Sequence, residues 1–257
     1  MIVEQIWTGN AYRNFNYLIV CPDTGEAMAV DPLDHEKCLA TAKRNGWTIT
    51  QILNTHEHND HIGGNDAVVA ATGAKILAHH GAKDKIPDMA RGLDAGDVIK
   101  VGKSVELECL DTPGHTMSHI CMMSRTDQPA LFCGDTLFAL GCGRMFEGTP
   151  TQFWTSLVTL RALPAETRIY CGHEYTQSNA RFALSVDGGN PKLKARAAEI
   201  DRKRAAGQPT VPSTLADELD TNPFLRADDP AMAAAVGLSG ADPVAVFAEI
   251  RKRKDTF

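Results

Sequence analysis

Thr55-His56-Glu57-His58-Asn59-Asp60-His61 sets four ligand-type side chains within six residues. It follows directly on Gln51-Ile52-Leu53-Asn54, the end of a run from Ile49 that reads as a strand. Imidazole and carboxylate are the ligands that zinc and similar divalent ions take from proteins. Side chains alternate along an extended segment, so His56 and His58 leave it on the same side. Asp60 and His61 come off the turn into the next helix and can face a second point. One ion would be overcrowded by all four, because a catalytic zinc takes about three protein ligands and keeps a position open.

Three more candidates stand at strand ends. His115 closes Leu110-Asp111-Thr112-Pro113-Gly114-His115, Asp135 closes Leu131-Phe132-Cys133-Gly134-Asp135, and His173 closes Ile169-Tyr170-Cys171-Gly172-His173. Polar groups just beyond strand ends are where sheet-based folds build sites. A glycine precedes each, and glycine lets the backbone turn tightly. The set is then five histidines and two aspartates. His35, His79, His80 and His119 lack this context and read as surface or packing residues. Glu57, between two ligands, receives no role.

The rest of the chain sets bounds. Its 257 residues suit one large domain, or a medium one with a smaller attachment. Hydrophobic residues make up 43% and charged residues 23%, ordinary globular values. A net charge of −6 argues against a general nucleic-acid binder. No apolar run approaches the roughly 18–20 residues of a membrane span. The start, Met1-Ile2-Val3-Glu4-Gln5-Ile6-Trp7, shows no basic region followed by an apolar stretch, so a cytosolic location is expected. Seven cysteines without a C-x-x-C pair read as reduced, buried thiols.

Tyr17–Val20, Ala27–Val30, Ile49–Leu53, Lys75–Ala78, Val105–Leu110, Ile120–Met123, Ala130–Cys133 and Arg168–Cys171 read as strands. Asp34–Asn45 and Thr151–Leu163 read as helices, with Asp34 as N-cap and Gly46 just past the end of the first. Strands interleaved with covering helices imply a sheet packed under helical layers. After His173 no convincing strand follows. Asn179–Val186, Pro191–Ala206 and Pro243–Lys252 look helical, and 12 basic residues balance 12 acidic ones. The boundary is expected at 173/174, giving domains 1–173 and 174–257.

T-H-x-H-x-D-H with the later G-H, G-D and G-H elements resembles the metallo-β-lactamase superfamily over about residues 1 to 173. That resemblance implies an α/β fold, the αββα sandwich, here followed by a smaller all-α domain. It also implies two divalent metal ions bridged by Asp135. His56, His58 and His115 would complete the first site, and Asp60, His61 and His173 the second. Zinc is the first expectation, and iron or manganese accept the same ligands. The superfamily carries many activities, so the motif alone leaves the substrate open.

Four further stretches resemble the glyoxalase II family of that superfamily: Gly141-Cys142-Gly143-Arg144-Met145-Phe146-Glu147-Gly148-Thr149, Cys171-Gly172-His173-Glu174-Tyr175-Thr176, Asn222-Pro223-Phe224-Leu225-Arg226, and the ending Arg251-Lys252-Arg253-Lys254-Asp255-Thr256-Phe257. They cover the chain in the family's order. The resemblance implies hydrolysis of the thioester S-D-lactoylglutathione by a metal-bridging hydroxide, with Asp60 and Asp135 as the catalytic carboxylates. It implies glutathione contacts from Arg144, Phe146, Tyr175, Arg251 and Lys254, and cations suit the tripeptide's two carboxylates. The family often carries Lys and Tyr at the positions of Arg144 and Phe146. Arginine keeps the charge, whereas Phe146 has no hydroxyl to donate. A monomer acting on a small glutathione thioester, with no nucleic acid or membrane partner, is expected. The rivals are a glutathione persulfide dioxygenase of the same fold, a β-lactamase-like hydrolase, and a non-catalytic metal-binding protein.

Overall fold

In a computed structural model, which describes residues 1–125 and 128–257, two six-stranded sheets lie face to face. The first runs in chain order from β1 (Ile2–Trp7) through β2 (Phe15–Val20), β3 (Glu26–Val30), β4 (Thr48–Leu53) and β5 (Lys75–His79) to β6 (Met89–Leu93). The second contains β7 (Val98–Val101), β8 (Val105–Asp111), β9 (Ile120–Ser124), β10 (Ala130–Gly134), β13 (Arg168–Cys171) and β14 (Ser213–Thr214). A short hairpin of β11 (Leu137–Phe138) and β12 (Gly141–Cys142) stands apart. The helices are α1 (His35–Asn45), α2 (Asn59–Ile62), α3 (Asn65–Thr72), α4 (Pro150–Arg161), α5 (Thr176–Asp187), α6 (Pro191–Ala205), α7 (Leu215–Thr221), α8 (Pro230–Ala235) and α9 (Pro243–Asp255).

Strand β2 shows why both faces of the first sheet are covered. All six of its residues are buried. Phe15, Tyr17 and Ile19 point into the core between the sheets, while Leu18 and Val20 point into a second apolar cluster shared with Cys38 and Ala42 of α1 and Val68 of α3. The two-residue period of a strand therefore feeds two cores at once. Between the sheets Tyr17 meets Phe132 and Tyr170 edge-on, at 5.7 and 5.5 Å. Its hydroxyl donates to the carbonyl of Cys171 at 2.6 Å, which satisfies a buried polar group. All seven cysteines are buried and free.

Local signals explain the helix ends. The Asp34 carboxylate accepts from Lys37 N, and Gly46 closes α1 at φ 71°. A capping box of Thr149 and Gln152 opens α4, with Pro150 in its first turn. Asp242 caps α9, and Lys252, Arg253 and Lys254 fill its last turn, where cations favour the helix dipole.

One sequence expectation needs correction. A strand does follow His173: β14 extends the second sheet, pairing antiparallel with β13. It is two residues long, too short for any periodicity to announce it. Strands β1, β6 and β7 also escaped the sequence reading. The apolar core does not stop at residue 173, since Phe153 and Trp154 of α4 pack on Phe247 of α9 at 5.6 and 6.1 Å. Among the described residues no helix is long and apolar enough to cross a membrane.

Glu218 of α7 joins the helices to the hairpin. Fully buried, it accepts from Leu140 N at 2.8 Å, Ser213 Oγ at 2.6 Å and Asn222 Nδ2 at 3.1 Å, and it pairs with Arg196. Removing one partner of a buried charge pair strands the other, so Glu218→Ala is expected to lower unfolding stability by about 3–5 kcal/mol in urea denaturation. A loss below about 1 kcal/mol would show that these bonds add little.

Candidate metal centre

The seven sequence candidates meet at one end of the sandwich. His56 and His58 leave the end of β4, and Asp60 and His61 sit in α2, one turn on. His115 lies beyond β8, Asp135 directly after β10 and His173 beyond β13. Ligand atoms of His56, His58 and His115 lie within 4.8 Å of one another, as do those of Asp60, His61 and His173. Asp135 stands between the groups. Its Oδ2 is 3.5 Å from His115 Nε2, and its Oδ1 is 3.5 and 3.3 Å from the Nε2 atoms of His61 and His173.

The rings are held from behind. His173 Nδ1 donates to the carbonyl of Tyr12 at 2.8 Å, and His115 Nδ1 to that of Arg144 at 2.7 Å. A carbonyl only accepts, so each Nδ1 carries the hydrogen and each Nε2 presents a lone pair. Asp31 does the same for His61, whose Nδ1 lies 3.0 Å from its Oδ2. Thr55 gives its hydroxyl hydrogen to Asp31 at 2.7 Å and therefore accepts from His56 Nδ1 at 3.0 Å. Burial also pushes the pKa of His56 and His115 below the ordinary imidazole value, keeping both rings neutral. His61 differs: burial disfavours its charge, but Asp135 and Asp31 raise it to about 9, so a cation there displaces a proton.

Once that proton is displaced, the Nε2 lone pairs of His61 and His173, 3.2 Å apart, face each other. The buried Oδ1 of Asp135 has no hydrogen-bond partner among the described residues. Acceptors converging on one position in this way fit a cation. The donor set, imidazoles and carboxylates in two adjoining groups sharing one aspartate, fits a dinuclear site.

Three supporting residues were not assigned from sequence. Asp31, buried at φ 47°, also accepts from Thr55 N at 2.8 Å. Its only sequence signal is a lone aspartate between a strand and Pro32. Asn14 donates to the backbone oxygen and Oδ2 of Asp60 at 3.1 and 3.2 Å. His119, expected as surface or packing, is fully buried, and its Nε2 accepts from Asp135 N at 3.1 Å. The glycines divide in role. Gly134 turns the chain at φ 42°, whereas Gly172 matters for space: a Cβ there would lie 2.5 Å from Asp135 Oδ1.

The other candidates rim this centre or lie behind it. Phe146 is 59% exposed, and its ring stands 5.5 and 5.3 Å from those of His58 and His115, with the Arg144 guanidinium 5.9 Å from its centre. Tyr175 stacks flat on His173 at 4.6 Å. Arg251 is only 5% exposed. Its guanidinium donates to the carbonyls of Cys142 and Gly143 at 3.0 and 3.4 Å and pairs with Asp255 at 2.9 Å. Lys254 is half-buried, with its ammonium 5.3 Å from the ring centres of both Phe182 and Phe257.

Asp135→Ala is expected to reduce bound metal at both positions, whereas His173→Ala should leave roughly one ion per chain, because His173 belongs to one group only. Metal analysis of the purified variants decides. Equal metal loss in the two variants would remove the shared role of Asp135.

The sequence model of the metallo-beta-lactamase superfamily matches residues 14–173, and that of the hydroxyacylglutathione hydrolase C-terminus matches residues 174–257. A hydroxyacylglutathione hydrolase of Polaromonas sp. (strain JS666 / ATCC BAA-500) is 54% identical, covering 99% of each chain. One from Nitrosococcus oceani is also 54% identical, over 90% of this chain and 88% of that one. Among solved structures, ETHE1 from Myxococcus xanthus superposes with a TM-score of 0.68 at 24% identity, covering 100% and 99% of the two chains, and so bears on fold alone. A metallo-beta-lactamase from Staphylococcus aureus gives a TM-score of 0.69 at 25% identity, covering 99% of this chain and 71% of that one. With near-complete coverage at this identity and a superfamily match over the metal-site region, the chain belongs to the hydroxyacylglutathione hydrolase family, glyoxalase II, of the metallo-β-lactamase superfamily.

Proposed function

We propose that this chain hydrolyses S-D-lactoylglutathione to glutathione and D-lactate, the second step of methylglyoxal detoxification. One observation carries the reading beyond family membership. The loop bearing Arg144 and Phe146 is tied to His115 on one side and to Arg251 of α9 on the other, so an aromatic and cationic rim adjoins the metal centre. The reading divides the chain into a catalytic unit, 1–173, and a helical unit, 174–257, that supplies glutathione contacts. It takes zinc as the metal, and it takes the protein as a cytosolic monomer.

Two divalent ions held by His56, His58, His115, Asp135, Asp60, His61 and His173 would lower the pKa of water and polarise the thioester carbonyl. Asp60, with 24% of its side chain exposed, has the access to accept a hydrogen bond from the attacking water and orient it. Asn14 keeps that carboxylate in place. The leaving glutathione thiolate needs no strong acid, since a thiol pKa is about 8.5. Arg144 and Lys254 offer charge to the glutathione carboxylates, and Phe146 and Tyr175 offer apolar faces. Arg251, expected from sequence as a glutathione contact, also braces the loop backbone through the carbonyls of Cys142 and Gly143.

Lys254 gives this reading a pH signature. Burial lowers its ammonium pKa, Arg251 and Arg181 lower it further, and Asp255 partly opposes them, leaving it at about 8. It is charged below that pH and neutral above it. The KM for S-D-lactoylglutathione should therefore rise as pH climbs through 8, toward the roughly tenfold increase expected for Lys254→Ala, which loses a charged hydrogen bond. A small thioester lacking the tripeptide should show neither effect. No hydrolysis of S-D-lactoylglutathione by metal-replete enzyme would end the substrate assignment. A flat KM profile with a silent Lys254→Ala would remove Lys254 from the glutathione site.

A further inference from the structure

Lys85 lies three residues beyond the 3₁₀ turn His80–Ala82 and ligates nothing in the metal centre. Its ammonium bridges two carboxylates from different loops, Glu57 and Glu147, the latter at 3.1 Å. Glu57 sits between His56 and His58, with only 7% of its side chain exposed. Its second oxygen accepts from Thr116 Oγ1 at 3.2 Å. Glu147 follows Phe146 directly and also accepts from Met117 N at 2.7 Å. One cation therefore ties the histidine loop, the His115 loop and the Phe146 loop together.

A lone surface ion pair contributes little. This arrangement differs because two carboxylates share one ammonium and one of them is nearly buried. Without Lys85, two like charges would face each other across the joint between loops. The ordinary effects of such pairing are present: Lys85 is raised in pKa by its bond to Glu57, and Glu147 is lowered by the Met117 amide and Lys85.

We propose that Lys85 is a positioning residue that latches the Arg144–Glu147 loop onto the histidine loop and thereby sets how tightly the glutathione thioester is held at the rim. This rests on the glutathione reading above. The Phe146 ring already stands beside His58 and His115, so a small outward movement of Glu147 carries it away from the reacting end of the substrate. Backbone bonds from Phe146 N to His115 O at 3.3 Å and from Gly148 N to Gly114 O at 3.1 Å seat the C-terminal side of the loop, and Lys85 adds a charged side-chain tie there that Arg251 does not, since Arg251 reaches only Cys142 and Gly143.

Lys85→Met is expected to raise KM for S-D-lactoylglutathione about threefold to tenfold while changing kcat less than about twofold. Metal content should be unchanged. Lys85→Arg should restore KM, and adding Glu147→Gln to Lys85→Met should recover part of the loss by removing the repulsion. Amide hydrogen exchange over residues 145–148 should quicken in Lys85→Met and slow again in the double variant. A general folding defect would instead depress turnover of glutathione-free and glutathione thioesters alike, and would overturn the latch. Unchanged exchange over 145–148 would also overturn it, whatever the substrate. Failure of the wild-type enzyme on S-D-lactoylglutathione, with exchange still responding to Lys85→Met, would overturn the substrate reading and leave the latch standing.

Discussion

The metal centre depends on hydrogen bonds that point away from it. Tyr12 O, Arg144 O, Asp31 and Thr55 each take the outer nitrogen of one imidazole. That orients four rings and turns four Nε2 atoms inward, that of His61 becoming a lone pair once a cation displaces its proton. A histidine free to rotate or to change tautomer would share its proton with a neighbour and lose its value as a ligand. Metal affinity is therefore distributed over residues that never touch the ion, and folding and metal binding are linked.

Those outer partners explain why the sandwich is built as it is. Asp31 comes from the end of β3, Tyr12 from the loop before β2, and Arg144 from the loop after β12. The ligands themselves come from both sheets. The inter-sheet core around Tyr17, Phe132 and Tyr170 fixes one sheet against the other, and so fixes first-sheet ligands against second-sheet ligands. Tyr17 makes the link direct: its hydroxyl holds the carbonyl of Cys171, two residues before His173. The helical C-terminal part reaches the same centre through Arg251 and Glu218, which fix the segment from Leu140 to Gly143.

The convergence of the seven candidate ligands was legible because metal chemistry demands particular residue types at particular spacings, and strand ends put them in place. The strands with alternating or continuous apolar runs, such as Tyr17–Val20 and Ala130–Cys133, were legible for the same reason of pattern. Strand β6 was not, because Ala90, Arg91 and Gly92 give no apolar face. Nor was β14, whose two residues form a strand only because β13 lies beside them. Asp31, Asn14 and Lys85 carry no motif. Their side-chain partners lie 24 to 62 residues away, apart from the local bonds of Asn14, and only the folded chain brings them together. Arg251 shows a different limit: sequence identified a cation near the substrate loop but could not show that backbone carbonyls already engage it.

The oriented rings and Asp135 form two adjoining candidate cation positions that share this aspartate. Anomalous-difference maps from crystals of the metal-loaded protein test that arrangement directly. Two peaks per chain are expected, one among His56, His58 and His115 and one among Asp60, His61 and His173, with Asp135 reaching both. A single peak in fully loaded protein, or rings of His61 and His173 ligating through Nδ1, would contradict it.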